Sequence, residues 1–321
     1  MPAIPTMMRA AAIERFGGPE VLKLREMPVP EIGTREVLIA VHTAGVGSWD
    51  AEMRAGWWPS GRPRFPLVLG SDGSGTVAKV GSRVRGFKPA DRVYAYSFAN
   101  EKGGFYAEYV AVAAPSVGHV PQRLDLKEAG AIGTTGLTAL QGVERLGVRK
   151  RQPIIIVGAA GGVGSLAVQF ALRWLEAHVL AVVKGKDAAK LVRGLGARFV
   201  VDSLKDDVGA EASKFAPDGV RAVLAFVGGE TLDECIAQIR TGGRLVHPNG
   251  IEPAPRKRRG LEIVAYDAEP GIAQFRRLNR AVEETKLKVV ITAEFPLAQA
   301  KKAHQRIESG HVLGKIVLRV R

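Results

Sequence analysis

Apolar runs and amphipathic segments alternate along the middle of this chain. The apolar runs predict strands near residues 154–157, 179–183, 198–201, 220–227, 243–247 and 261–266. Between them, stretches with the helical spacing of apolar residues include 187–194 and 230–239. Such alternation is typical of a parallel, doubly wound sheet, because each parallel connection needs a crossover, usually a helix. The middle of the chain is therefore predicted to be an α/β domain.

The two ends of the chain follow different patterns. Short strands separated by glycine and proline are predicted at 37–41, 73–80, 92–96 and 107–112, which indicates a small barrel or sandwich. Helices are predicted at 126–132, 136–146, 271–284 and 297–308, and a closing strand at 315–320. We expect the tail to return to the first domain. The predicted domains are 1–123 together with 270–321, and 124–269.

The strongest single signal is a glycine-rich turn between the apolar strand 154–157 and a helical segment that begins near Ser165. Its spacing is that of a dinucleotide-binding fingerprint, with Ala159 in place of the first glycine. Small residues let the backbone approach a pyrophosphate, and the helix N-terminus offers unpaired N–H groups. The predicted phosphate site consists of Ala160, Gly161, Gly162, Val163 and Gly164. The alternative is an ordinary strand-to-helix turn.

The residues after the second strand of this domain indicate which dinucleotide is bound. NAD-binding sites of this kind carry a carboxylate about 20 residues beyond the turn, where it bonds the ribose hydroxyls. Here Lys184 and Lys186 follow the strand, and no carboxylate occurs before Asp187. Because lysines attract the 2′-phosphate that a carboxylate would repel, NADPH is predicted rather than NADH. The alternative is that both lysines are merely exposed loop residues.

The composition of the chain narrows the classes of protein to which it can belong. A hydrophobic content of 46% over 321 residues is enough for two globular domains. The single cysteine, Cys235, excludes an internal disulfide and a cysteine-rich zinc lobe, so a cytoplasmic location is expected. The apolar runs are too short to span a bilayer. The net charge is +14, and the basic residues are densest at 256–259. This charge raises a second hypothesis, a protein that binds NADPH and RNA. No aromatic residues that could stack on bases lie within that run.

Five sets of residues together resemble the zinc-free quinone oxidoreductases, the zeta-crystallin-like branch of the medium-chain dehydrogenase/reductase family. They are residues 8–22, 66–94, 103–109, the glycine-rich turn, and the short motifs at 195–197, 227–232 and 242–246. The resemblance implies a GroES-like, β-rich catalytic domain, a Rossmann domain, and an NADPH-dependent reductase that forms a homodimer. It also implies cofactor contacts from Thr135, Thr138, Val227, Gly228, Asn249 and Lys315. The two threonines fit a helix start equally, and Asn249 with Gly250 is a common turn dipeptide.

The resemblance also bears on zinc. Zinc-dependent members of the family place Cys, His-Glu and Cys where this chain has Gly47, Ser71-Asp72 and the segment 131–133. Catalytic zinc needs about three side-chain ligands, and only Asp72 has one to offer, so no metal is predicted. Without a Lewis acid, the easier reaction is hydride delivery to a quinone or related conjugated carbonyl. An alkenal or enoyl-thioester reductase is the close alternative.

The residues expected to contact this acceptor differ from those of the resembled family. This chain has Gly47 and Glu52 where many members carry Asn and Tyr. Candidates to line the substrate cleft instead are Trp49, Trp57, Trp58 and Tyr96, with Trp57–Trp58 equally open to a surface or dimer contact. Asp72 fits either a proton-transfer or a structural role. His304 and His311 are expected on the surface of the final helix and at its end.

Overall fold

The computed structural model describes residues 3–59 and 61–321. Contacts divide the chain into two units. The first unit holds the described residues up to Thr134 together with Pro270–Asn279 and Ile291–Arg321, and the second holds Thr135–Glu269 and Arg280–Val290. The functional domain bounds predicted above, at 123/124 and 269/270, stay a prediction.

Strands and helices are numbered here in chain order. The strands are β1 Met7–Ile13, β2 Lys23–Pro28, β3 Glu36–Val46, β4 Leu67–Val68, β5 Asp72–Val80, β6 Arg92–Tyr96, β7 Tyr109–Ala113, β8 Val117–His119, β9 Pro153–Val157, β10 His178–Val183, β11 Phe199–Asp202, β12 Val220–Ala225, β13 Ile239–Pro248, β14 Glu262–Tyr266, β15 Ile291–Pro296 and β16 Lys315–Arg319. The helices are α1 Ser48–Ala55, α2 Leu126–Gly130, α3 Gly133–Arg145, α4 Gly164–Arg173, α5 Lys186–Gly194, α6 Val208–Phe215, α7 Glu230–Ala237, α8 Ile272–Thr285 and α9 Ala300–Glu308. Among the described residues, no helix combines the length and the apolar character needed to cross a membrane.

The sheet of the second unit explains the long apolar runs of the sequence. Its strands are parallel and lie in the order β11-β10-β9-β12-β13-β14. Counted from β9, this is the 3-2-1-4-5-6 order of the Rossmann fold. Ile154, Ile155 and Ile156 of the central strand are fully buried, as expected for a parallel sheet covered on both faces. The predicted doubly wound parallel sheet is confirmed.

The first unit is built mainly on a sheet whose strands lie in the order β15-β16-β3-β5-β6-β8, with β7 also paired to β3. Because β16 pairs antiparallel with β3, the end of the chain completes a sheet begun near its start. A smaller sheet joins β2, β1 and β4. Side chains from both sheets share one core, which includes Ile13, Ile39 and Ile316. The predicted β-rich domain is confirmed.

The tail of the chain is divided between the units at the middle of α8. Phe275, in the first half of this helix, packs edge-to-face on Tyr94 with ring centroids 5.1 Å apart in the first unit. Arg280, in the second half, lies over the ring of Trp174 at 5.7 Å in the second unit. β15 and β16 therefore belong to the first unit, while residues 280–290 belong to the second unit. The predicted assignment of the tail to the first domain stays a prediction.

Candidate active site

The glycine turn lies between β9 and α4. Gly158 begins it at φ +76°, a conformation that favours glycine. Gly164 opens α4, and a Cβ there would collide with the carbonyl oxygen of Gly158 and lie 2.8 Å from Ala159 Cα. This glycine therefore permits the close approach of strand and helix. Gly161 has a different role, because a Cβ on it would meet its nearest neighbour only at 3.6 Å.

The turn lies at the switch point of the sheet. β9 and β12 are parallel neighbours, so the residues that follow them emerge at the same edge. A Cβ on Gly158 would lie 3.4 Å from both Cγ atoms of Val227, which places the segment after β12 against the turn. Val227 is 48% exposed there. Gly228 fits closely, since a Cβ would collide with the carbonyl oxygen of Pro253. The structure thus brings Val227 and the predicted phosphate turn together.

The predicted 2′-phosphate loop follows β10 at this same carboxyl edge. Lys184 and Lys186 are both exposed. Between them, Gly185 donates its N–H to Asp202 Oδ1 at 2.7 Å, at the end of the neighbouring strand β11. This bond and a second one from Leu204 hold the pKa of Asp202 below its ordinary value, so the carboxylate is ionised. The sequence did not reveal this carboxylate, because its place beside the loop depends on the pairing of β10 with β11.

Three further predicted cofactor contacts lie in the second unit. Thr135 and Thr138 are buried in the first two turns of α3. The carbonyl of Thr138 accepts a hydrogen bond of 2.7 Å from Tyr266 Oη, which ties α3 to the carboxyl end of β14. Asn249 follows β13 at that edge, is exposed, and donates from Nδ2 to Asp267 Oδ2 at 2.9 Å. Thr138 and Asn249 thus lie at the edge that carries the glycine turn, and their cofactor roles stay predictions.

The first unit contains a buried polar cluster around Asp50 that the sequence did not reveal. Asp50 lies near the start of α1, where its Oδ2 accepts from Gly47 N at 2.9 Å and its Oδ1 accepts from Ser71 Oγ at 2.9 Å. Tyr106 Oη donates to the same Oδ2 at 3.4 Å. Burial is the main cause that raises the pKa of Asp50 to about 7, and the nearby Asp72 carboxylate adds to it.

A chain of hydrogen bonds leads from this cluster to the surface. Arg54 is 2% exposed, and its guanidinium donates to Glu308 Oε1 at 2.5 Å and to His304 Nδ1 at 3.2 Å. Since a guanidinium only donates, Nδ1 accepts, and Nε2 carries the proton donated to Tyr106 Oη at 3.1 Å. Burial lowers the pKa of His304 to about 3, so the ring is neutral. The prediction of a surface His304 is wrong, because this side of α9 is buried; His311 is exposed as predicted.

The positions that correspond to zinc ligands do not form a metal site. Among the described residues, no group of three or more His, Cys, Asp or Glu side chains is arranged to hold a metal ion. Gly47 offers no ligand, and the indole of Trp49 fills the space that a side chain at this position would take. Asp72 is fully buried, with its Oδ2 accepting from Thr134 N at 2.7 Å. At these positions, the described side chains therefore do not form a set of zinc ligands.

The remaining predicted site residues lie in the first unit. Lys315, at the start of β16, is 4% exposed, and its Nζ donates to Val46 O at 3.1 Å. Trp57 is 51% exposed, and its ring lies 5.9 Å from that of Phe98, which in turn lies 6.5 Å from that of Tyr96. These rings form a continuous aromatic row. Trp58 is half-buried against the core of the first unit.

Part of the basic run 256–259 is engaged within the second unit. The guanidinium of Arg258 donates to carbonyl oxygens at and just beyond the end of α7, those of Ile236, Ala237 and Ile239. Arg256 Nε pairs with Asp233 Oδ2 at 3.1 Å. Only the other two basic side chains of the run are exposed without such a contact among the described residues. Arg258 therefore has a structural use within the second unit, whereas the side chain of Arg256 stays 82% exposed beside its ion pair.

A Rossmann-ordered sheet with a glycine turn at its switch point is the architecture of dinucleotide-binding proteins. Residues 33–122 match the family described as "Alcohol dehydrogenase GroES-like domain", and residues 195–318 match the one described as "Zinc-binding dehydrogenase". The chain belongs to the medium-chain dehydrogenase/reductase family of oxidoreductases. The resemblance and the predicted pairing of a GroES-like domain with a Rossmann domain are confirmed.

Individual proteins that are similar to this chain are described as oxidoreductases or dehydrogenases. The quinone oxidoreductase of Mus musculus is 31% identical, over 97% of this chain and 98% of that protein. The chloroplastic NADPH-dependent alkenal/one oxidoreductase of Arabidopsis thaliana is 31% identical, over 98% of this chain and 80% of that protein. A solved structure described as an NAD-dependent alcohol dehydrogenase has a TM-score of 0.90 at 31% identity, covering 98% of this chain and 100% of that one.

Proposed function

We propose that this protein is an NADPH-dependent reductase that transfers hydride to a quinone or related conjugated carbonyl without zinc. The observation that carries the proposal is the glycine turn at the switch point of the sheet in the second unit. The crevice at such a point binds dinucleotides, with the pyrophosphate at the helix N-terminus. Similarity to a quinone oxidoreductase and to an alkenal/one oxidoreductase supports the reaction class.

The backbone and a few side chains of the second unit would hold the cofactor. The N–H groups of the turn 160–164 would bind the pyrophosphate, since Gly161 leaves the backbone open to a ligand. Lys184 and Lys186 would bind the 2′-phosphate. Two of the similar proteins differ in their dinucleotide. The Arabidopsis thaliana relative is described as NADPH-dependent, and the solved alcohol dehydrogenase structure as NAD-dependent. Asp202 already accepts two backbone N–H groups and lies at the end of the third strand rather than the second, so it does not take the place of an NAD-type carboxylate.

Bound NADPH would supply the hydride. In the absence of a fitting metal site, the protein's own hydrogen-bond donors must stabilise the negative charge that develops on the acceptor oxygen. A quinone or an enone eases this task, because conjugation carries the electron pair from the attacked carbon to that oxygen.

The close alternative is an alkenal reductase, favoured by the similarity to the alkenal/one oxidoreductase. Both reactions use the same cofactor site, and the acceptor alone distinguishes them. An enoyl thioester is a third acceptor for the same machinery. We also propose a homodimer in the cytoplasm; light scattering of the purified protein would test the dimer.

Titration with NADPH and NADH, followed by nicotinamide fluorescence, tests the proposal first. We expect tighter binding of NADPH, and we expect K184A/K186A to weaken NADPH at least tenfold while leaving NADH unchanged. The matched control is K190A, which removes an exposed lysine of α5. Quinones, enals and enoyl thioesters are then compared by NADPH consumption. Absence of binding of either dinucleotide would contradict the enzyme proposal, and equal binding of both would contradict the role of the lysines.

A further inference from the structure

The amino-terminal edge of the parallel sheet in the second unit is rich in basic side chains. Because the strands are parallel, the residues that lead into them lie along one edge, opposite the edge that carries the glycine turn. Exposed basic side chains that make no ion pair among the described residues lie at four of these strands. They are Arg149 and Arg151 before β9, Arg198 before β11, Arg240 at the start of β13, and Lys257 and Arg259 before β14.

Backbone hydrogen bonds hold the segments that carry these residues together. Arg151 donates its N–H to Glu176 O at 2.7 Å, just ahead of β10. Gly242, near the start of β13, donates its N–H to Gly260 O at 3.2 Å, just ahead of β14. The basic residues therefore follow the order of the strands from β11 to β14. At a strand spacing of about 4.8 Å, they form a row about 24 Å long.

Acidic side chains do not balance this basic row. Those just ahead of a strand or at its start are Glu176, Asp218 and Glu262. Glu176 is paired with Lys150 at 2.5 Å, and Glu262 is paired with Arg244 at 2.8 Å. Only Asp218 stays exposed without an ion pair among the described residues of these segments. The edge therefore carries an excess of positive charge, which attracts polyanions.

An aromatic cluster lies within the basic row. His178 and Phe199 are the first residues of β10 and β11, and their ring centroids lie 4.8 Å apart. The ring of Phe215, at the end of α6, stacks on that of His178 at 4.5 Å. Phe199 is 42% exposed. Because β10 lies between β11 and β9, the cluster lies between the basic residues that precede those two strands. The sequence did not reveal it, since the three rings come from separate segments.

We propose that this edge binds single-stranded nucleic acid, with its phosphates on the basic row and a base stacked on Phe199. Proteins that bind single strands combine a positively charged surface with aromatic rings on which bases stack. Arginine, which predominates in the row, binds phosphate oxygens through two parallel N–H groups. A single strand fits better than a duplex, because its unpaired bases present free faces to a ring.

A membrane surface fits this edge less well. Of the large apolar side chains that are exposed among the described residues, only Phe199 lies at this edge. Binding to a bilayer increases with the apolar area that enters it, so one such side chain provides little. The proposed nucleic-acid surface and the proposed cofactor site lie at opposite edges of the sheet, so neither proposal depends on the other.

The test measures the fluorescence anisotropy of labelled oligothymidylate and oligouridylate of about 12 nucleotides. We expect both to bind at about 50 mM salt and to bind much more weakly at about 200 mM. Removing four charges of the row should weaken binding at least tenfold and should reduce the slope of log affinity against log salt by about 3. The variant for this purpose is R149Q/R198Q/R240Q/R259Q.

A matched control removes the same amount of charge from exposed side chains of the first unit. This variant, which should bind within about twofold of the wild type because losing a surface charge away from the site has little effect, is K79Q/R83Q/K301Q/K302Q. NADPH affinity and melting temperature should be unchanged in both variants. These two readouts separate the failure of this inference from the failure of the proposed reductase.

The contribution of stacking is tested separately with F199L, which removes the ring and keeps an apolar side chain. We expect it to weaken oligonucleotide binding by about tenfold, the effect of losing one stacked base. The matched control is F65L, since Phe65 is 41% exposed in the first unit. If F199L melts far below the wild type, the charge variants and competition by polyphosphate carry the test.

Each contrary outcome overturns the inference. Absence of binding of both oligonucleotides at low salt would do so and would leave the proposed reductase untouched. Equal losses in the two charge variants would show that net charge, and not this edge, attracts the strand. Displacement by long-chain polyphosphate, together with wild-type affinity of a folded F199L, would show a surface for any polyanion. Binding to vesicles of phosphatidylglycerol and phosphatidylcholine, without binding of oligonucleotides, would show a membrane surface instead.

Discussion

Glycines in the same turn have different physical roles. Gly164 has no room for a Cβ, whereas Gly161 has room but faces the expected ligand. We expect G164A to lower the free energy of unfolding by about 1–3 kcal/mol through overpacking, and to weaken NADPH binding. G161A should keep the wild-type melting temperature and lose affinity. The control is G194A, at the exposed end of α5 with no atom within 4 Å of a Cβ, which should stabilise by about 0.5–1 kcal/mol. Unchanged melting of G164A would contradict this account.

Asp50 makes stability depend on pH in a defined direction. Its pKa rises from 3.8 to about 7 on folding, so across this range the native protein keeps a proton that the unfolded chain has lost. The contribution of Asp50 to stability is therefore present below 3.8 and is lost as the pH rises towards 7. D50N removes this titration and should flatten the slope by up to about 1.4 kcal/mol per pH unit. Asp72, whose pKa burial also raises, keeps the rest of the slope. Urea unfolding at a series of pH values measures both slopes; parallel slopes would contradict the assignment.

At the scale of elements, the C-terminus of α7 depends on a residue beyond β13. Arg258 reaches back to carbonyl oxygens that a helix end leaves unpaired. We expect R258A to lower the free energy of unfolding by about 1–3 kcal/mol, since these are charged hydrogen bonds. R259A, in the same run and exposed, is the matched control and should be neutral. Thermal melting separates the two variants, and equal melting of both would show that the contact contributes nothing measurable.

Elements whose residues carry a local pattern could be predicted from the sequence, whereas features that depend on contacts between distant residues could not. β9 and α4 were predicted because a buried parallel strand and an amphipathic helix leave local patterns. β2 was not predicted, since most of its residues are exposed and half of them are charged, and it forms by pairing with β1. The burial of His304 was missed because its partner Arg54 lies 250 residues away in the chain. The Asp50 cluster was missed for the same reason, as Ser71 and Tyr106 come from other segments.

At the scale of the whole molecule, the family contains zinc enzymes, and this chain matches a family described as "Zinc-binding dehydrogenase". Its residues at the corresponding positions, with Trp49 over Gly47, do not fit the metal. We expect the purified protein to contain far less than one zinc per chain by plasma mass spectrometry. Dialysis against a chelator should leave NADPH-dependent reduction unchanged, because charge stabilisation comes from side chains, and added zinc should not raise it. Stoichiometric zinc whose removal abolishes activity would contradict this prediction.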